Sequence, residues 1–322
     1  MRKIFLLLLA TVFVVSCQKE KRGADSISNI KTNAILIIME NQLWNGEVGD
    51  SLRNKFASPV DGLPQEEPIF SISQSNPRFL EDLSESRNII FIEKWEYSSF
   101  EIKKNIYTKP QNLVYIKGKN VIEIVGLIEQ HFKQIINTFK DTEIAETQYR
   151  IAQSVMGDSS IQAKFDISLS IPSAYTSVVE KENFLWIRKE MPSGSNNILI
   201  YEVPLYSVDT EENDITANII KIRDSIGEKH IKGMQPEAFM TTESSYAPYL
   251  FNVIIDEKKT YETKGTWEMK NDFMSGPFIN YAIRDEINNR YLIIEGFCYN
   301  PSTSKRDLMH ELESIIKTVT FL

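Results

Sequence analysis

The sequence predicts an α/β protein of two sandwich-like domains. The first has a mixed sheet, the second an antiparallel sheet covered by helices, and both follow an N-terminal export signal. Three observations predict this. Strand-like apolar runs alternate with helical stripes over 34–155, the pattern of βαβ units. After Gly157-Asp158-Ser159-Ser160 the pattern changes to a succession of strand runs. The 322 residues, 42% apolar and 25% charged, are enough for two cores of ordinary size.

Arg2 and Lys3 open the chain, and residues 4–15 form an apolar run broken only by Thr11. Twelve residues rise about 18 Å, short of a hydrocarbon core of roughly 30 Å, so the run reads as a signal rather than a span. It ends in Val14-Val15-Ser16-Cys17, which resembles a bacterial lipobox. That resemblance implies a lipoprotein signal peptide over 1–16, cleavage before Cys17 and acylation of its thiol. Residues 18–33 are polar and include Gly23. As a flexible tether they would span about 20–25 Å. Loss of 1–16 leaves 34 basic against 44 acidic residues, net −10. An anionic membrane surface would repel such a body, so it should stand off on its tether. Cys17-Gln18-Lys19-Glu20 is also similar to the surface-export signal of Bacteroidota lipoproteins, with Lys21 in place of a second acid. The expected location is an outer-membrane lipid anchor, on the periplasmic face or at the cell surface.

The N-terminal domain is expected over 34–157. Its run at 34–39 is a buried strand, and Val48, Leu52 and Phe56 give a helix over 47–57. Short elements follow: a strand at 68–73, a helix at 77–83 with Pro77 at its start, and a strand at 88–92. A strand at 113–117 leads into a helix from 120 to about 155, with Ile124, Ile128, Phe132, Ile135 and Phe139 on one face.

The C-terminal domain is expected over 158–322. Residues 164–171 alternate and read as a strand, followed by strands at 184–188 and 198–203. Ile219, Ile222 and Ile226 mark a helix over 215–226. Strand runs at 249–255, 261–269, 278–284 and 291–299 precede a closing helix at 306–316. This order is similar to the α/β/α sandwich of PsbP-type proteins. Residues 267–278 read as a long loop, with Trp267, Phe273 and Met274 among its apolar residues.

Several segments together resemble a Bacteroidota envelope lipoprotein family of unknown function, across nearly the whole mature chain. They include Leu43-Trp44-Asn45-Gly46-Glu47, Leu63-Pro64-Gln65-Glu66-Glu67, Arg87-Asn88-Ile89, Lys109-Pro110-Gln111 and Asn271-Asp272-Phe273-Met274-Ser275-Gly276. The resemblance implies an envelope lipoprotein and carries no catalytic residues.

The residues themselves exclude several functions. A net charge of −8 offers no basic field for nucleic acid. Three histidines and two cysteines rule out a zinc finger, a disulfide scaffold and an iron–sulfur cluster. Gly46-x-x-Gly49 lacks the Gly-Lys-Ser/Thr of a phosphate loop, and no Gly-x-Ser-x-Gly elbow occurs. His131, His230 and His310 read as helix-surface residues, and Cys298 as a buried thiol. No cofactor or metal site is expected. Carboxylate pairs such as Glu66/Glu67, Glu211/Glu212 and Asp285/Glu286 read as solvated faces, with Glu67 the acid to watch. The favoured expectation is a non-catalytic binding or assembly factor for an envelope protein or glycan. The alternative is a surface-anchored hydrolase of glycan or peptide using carboxylates. Trp267, Phe273, Met274, Trp44, Gln65 and Glu67 form the candidate partner-binding set.

Overall fold

The apolar runs of the first half become β1 (Ala34–Ile38), β2 (Ser71–Ser75), β3 (Asn88–Lys94), β4 (Ser99–Lys104) and β5 (Asn112–Gly118). The computed structural model describes residues 30–79, 82–209 and 214–322. The signal segment, Cys17, most of the tether and the Glu211/Glu212 pair lie outside the described residues. The strand order is β2-β1-β3-β5-β4, parallel except for the edge strand β4, so the sheet is mixed.

Period-two alternation puts Ile35 and Ile37 on one face of this sheet and Leu36 and Ile38 on the other. The first face receives α2 (Glu47–Phe56), through Val48, Leu52 and Phe56, and α3 (Val121–Ile151), through Ile124, Ile128, Ile135 and Phe139. The short α1 (Asn41–Trp44) abuts α2 so closely that a Cβ on Gly49 would lie 1.9 Å from the Trp44 carbonyl oxygen. Close packing therefore accounts for the second glycine of Gly46-x-x-Gly49. Among the described residues the opposite face meets single 3-10 turns at Pro77–Phe79 and Leu83–Glu85, with Leu83 packed on Ile38, Ile89 and Leu113.

The second half begins with α4 (Ser159–Phe165) and β6 (Ile167–Ser168). The expected strand from 164 is thus a helix at its start. Ile161 and Phe165 bury one turn apart, and Asp166 ends the helix in the left-handed conformation at φ 56°. An eight-stranded antiparallel sheet follows. It contains β7 (Thr176–Lys181), β8 (Phe184–Met191), β9 (Gly194–Pro204), β10 (Phe239–Thr242), β11 (Tyr249–Ile255), β12 (Lys258–Lys270), β13 (Ser275–Asp285) and β14 (Arg290–Tyr299). Its order is β10-β12-β13-β14-β9-β8-β7, with β11 also paired to β12. α5 (Ile215–His230) covers one face through Ile219, next to Tyr201, Trp267, Phe278 and Ile293. α6 (Arg306–Ile316) and α4 cover the other, where Leu312, Ile315 and Phe165 meet Ile187, Ile200, Ile279 and Ile294. β15 (Thr320–Phe321) closes the chain against β6.

Residues 267–278 form a hairpin rather than a long loop. β12 runs on to Lys270 and β13 begins at Ser275, leaving the four residues 271–274 as the turn. The Gly276-Pro277 pair lies inside β13, whose ladder to β14 begins only at Phe278.

α3 ties the halves together. Its 31 residues span about 46 Å. Its first turns lie on the first sheet, and Ile151 near its end joins the core under α6.

Candidate functional site: the cleft between the domains

Loop 57–70 of the first domain comes down on the second beside the α3–α6 contact. Gly62 makes this approach possible. Its φ is +82°, and a Cβ there would lie 2.9 Å from Lys264 Cβ. Leu63 then packs on the core beneath α6. Polar bonds lock the joint. Both Glu67 carboxylate oxygens accept from the start of α6, from Lys305 N at 2.7 Å and Arg306 N at 2.9 Å. Those amides lack helical partners, and the positive end of the helix favours the carboxylate. The Arg306 guanidinium reaches back to the Pro68 carbonyl and to Ser71 Oγ, each at 3.1 Å. Asn33 Nδ2 donates to Asp307 Oδ1 at 2.9 Å, and Gln148 Nε2 to the Ser314 carbonyl at 3.1 Å.

A cavity of about 80 Å³ remains between these contacts. Leu63, Ile69, Ile144 and Met309 supply apolar wall, while Lys140, Lys264, His310 and Glu313 supply ionisable groups. Lys264 Nζ lies 2.7 Å from Glu262 Oε1 and 4.0 Å from Glu313 Oε2, and Lys317 Nζ lies 2.5 Å from Glu313 Oε1. Tyr281 Oη donates to Glu262 at 3.0 Å.

Ionisation follows from these contacts. Burial by itself would raise the Glu313 carboxyl, but Lys264 and Lys317 overturn that and hold it at about 2. Burial would lower the Lys264 ammonium, but Glu313 and Glu262 hold it above its usual value. Burial does lower His310, whose Nε2 lies 3.0 Å from Thr147 Oγ1 on α3. Lys140 keeps much of its area exposed, yet the protein mass around its ammonium and the neighbouring Lys264 charge both lower its pKa. A glutamate held ionised in this way is a poor proton donor at neutral pH. The cleft is built for charge recognition between apolar walls.

The sequence candidates do not converge here. Glu67 is engaged as a cap for α6. Gln65 is exposed on the same loop. Trp44 is half-buried, with the Arg53 guanidinium 4.5 Å from its ring centroid. Trp267 is 1% exposed and donates from Nε1 to the Cys298 carbonyl, so it belongs to the core and presents no surface to a partner. Met274 packs partly buried against the same core. Phe273 stands fully exposed at the hairpin tip. Phe273→Ala should therefore leave the melting temperature within about 1 °C of wild type, since little area is lost from the core. A fall of several degrees by calorimetry would place the ring in the fold. Asp285 is buried and bonded to Arg290. Cys298 is buried, and burial pushes its thiol up to about 12, consistent with an inert thiol. Lys140, Lys264 and Glu313 escape a sequence reading, since single charged residues on a helix face or a strand look like solvated positions, although Lys264 is paired on both sides, to Tyr249 of β11 and Ile279 of β13.

A second concavity of about 350 Å³ lies at the carboxyl ends of β1, β3 and β5, on the face without helices. Its floor includes Ile38 and the stacked pair Phe91 and Tyr115, with centroids 4.7 Å apart. Glu40, Glu93, Lys94 and Lys117 form its rim. Crevices at strand carboxyl ends, where the order reverses around β1, are common ligand sites.

Residues 154–318 match the family model described as domain of unknown function DUF4837, and residues 28–152 match another, DUF8532. No curated protein matches the chain. Among solved structures it is similar to human StAR-related lipid transfer protein 5, at 9% identity and a TM-score of 0.24, over 54% of this chain and 97% of that one.

Proposed function

Since the chain belongs to the DUF4837 family, whose description assigns no activity, we propose that it is a lipid-anchored envelope protein. In this reading it binds, or helps to assemble, a protein or glycan partner without catalysing a reaction. The observation that carries the proposal is Cys17 at the end of a short apolar run, followed at once by a polar tether. Two or more acyl chains on that cysteine would anchor the protein stably. Among the described residues no helix is long and apolar enough to cross a membrane. The binding half of the reading is supported by the groove on the helix-free face of the first sheet and by the exposed Phe273 tip. It is also supported by the fate of the acids. Glu67 caps a helix and Glu313 is neutralised by lysines, so neither is poised to donate a proton.

Cys17→Ala should leave the precursor unprocessed, or release the protein from detergent-extractable membrane into the soluble fraction. Normal processing and membrane retention of that variant would end the lipid-anchor reading. Protease treatment of intact cells distinguishes the two faces of the outer membrane, because only a surface-exposed body is cut.

A further inference from the structure

We propose that the cleft between the domains binds a small organic acid, with its carboxylate between Lys140 and Lys264 and its short apolar tail on Leu63, Ile69, Ile144 and Met309.

The charges around the cavity are unevenly answered. Lys264 is answered by Glu262 and Glu313, and Lys317 by Glu313. Arg306 is turned to Asp307 and to backbone and hydroxyl oxygens of the first domain. His310 is biased toward its neutral form by burial. Glu313 and Asp61, both at the cleft wall, act on Lys140 only over distance, and neither offsets the burial and the Lys264 charge that lower it. Lys140 is left with no carboxylate of the described residues within 4.0 Å. It lines the same cavity as Lys264, and the two ammonium charges repel. One further negative charge would give Lys140 its partner and relieve its repulsion with Lys264, and a charge-assisted bond is the strong kind.

The walls then choose the kind of anion. Inorganic phosphate would leave the apolar side of the cavity against water, whereas an aliphatic tail removes that area from solvent. The size is also limiting. At roughly 10–15 Å³ per water position, a cavity of about 80 Å³ holds on the order of five to eight waters, the bulk of an acid of about four to six carbons. The site draws on α3, α6, β12 and the 57–70 loop, so a ligand there would bridge the two domains. Domain interfaces are a preferred place for small-molecule sites.

This inference stands apart from the membrane-anchor reading, which the Cys17 variant tests separately. The full chain, purified in non-ionic detergent, is titrated calorimetrically at neutral pH with butyrate, hexanoate, butylamine and inorganic phosphate. Saturable binding of the two acids and none of the amine is expected. Lys140→Met should weaken the acids by about tenfold or more, and Lys140→Arg should retain them. Lys140→Met should not lower the melting temperature of the unliganded protein, because the exposed side chain makes no ion pair. It therefore separates binding from folding. Absence of acid binding in wild type, unchanged affinity in Lys140→Met, equal binding of butylamine, or binding of phosphate in place of both acids would each overturn the assignment.

Discussion

Glu313→Gln should destabilise the protein by about 2–4 kcal/mol at neutral pH and remove part of its acid sensitivity. The side chain is 21% exposed and lies against Lys264 and Lys317. Those cations hold its carboxyl at about 2, against an ordinary value near 4.5. A group whose folded pKa is depressed adds stability that is complete above its unfolded pKa. That stability is lost as pH falls through the folded value. For Glu313 the window runs from about pH 4.5 down to about 2, and the contribution is on the order of 3 kcal/mol. The amide removes it and leaves Lys264 and Lys317 crowded beside Lys140. His310 acts in a separate window. Its pKa is lowered by burial, so it must gain a proton on unfolding, and its contribution fades as pH drops below about 6.5. Denaturant unfolding of wild type and variant across pH 7 to pH 3 resolves the two. Wild type should lose stability more steeply than Glu313→Gln below pH 4.5, whereas between pH 7 and 5 the variant should fall at least as steeply, because the Glu313 charge supports protonation of His310 in the folded protein. Equal stability of the two proteins at pH 7 would mean that the lysines do not depend on this carboxylate.

The elements that sequence periodicity reveals are those with one buried face. The closing helix emerges as Arg306–Ile316 because Leu312 and Ile315 fall on one stripe, and Ile316 extends it. The pair β13 and β14 emerges because both faces of a central strand are covered and the runs are mostly apolar, broken by the buried Asn280 and Glu295. The edge strands β4 and β7 do not, because only Phe100, Ile102 and Val179 of them pack on the cores and the residues of Ser99–Lys104 and Thr176–Lys181 show no long apolar run. A helix as short as α4 also escapes, since two buried residues define its stripe.

The site is less legible for a different reason. Glu67 stands out among the acids, but its role as the cap of α6 depends on amides far along the chain. Nothing around Lys140, Lys264 or Glu313 shows that α3, β12 and α6 converge. The segments that carry the family resemblance turn out to hold much of the scaffold. Arg87 and Asn88 bond within the first domain, and Gln111 Nε2 donates to the carbonyls of Leu83 and Ser86. Those residues read as a signature without revealing that their work is structural.

The strongest such case gives the second large effect. Glu143 on α3 is 1% exposed and lies 2.6 Å from Arg87 Nη1, itself 1% exposed. Its other oxygen accepts from Asn88 Nδ2 at 2.7 Å, and Asn112 Nδ2 donates on to Asn88 Oδ1 and Thr142 Oγ1 at 2.9 Å. This network fastens α3 to the amino ends of β3 and β5. Glu143→Ala should cost about 3–5 kcal/mol, because it strands the Arg87 charge away from water. The pair as a whole is worth much less. Two ions are desolvated to form it, and Arg87 Nε is left with no hydrogen-bond partner among the described residues. Arg87→Met combined with Glu143→Leu removes both charges while keeping most of the volume. The double variant should therefore return to within about 1–2 kcal/mol of wild type, with the residual cost set by the orphaned Asn88 amide. Chemical denaturation of wild type, Glu143→Ala, the two single variants Arg87→Met and Glu143→Leu, and their double measures this. If the double variant is as unstable as Glu143→Ala, the cost lies in lost packing or in the asparagine network, and the stranded-charge account fails.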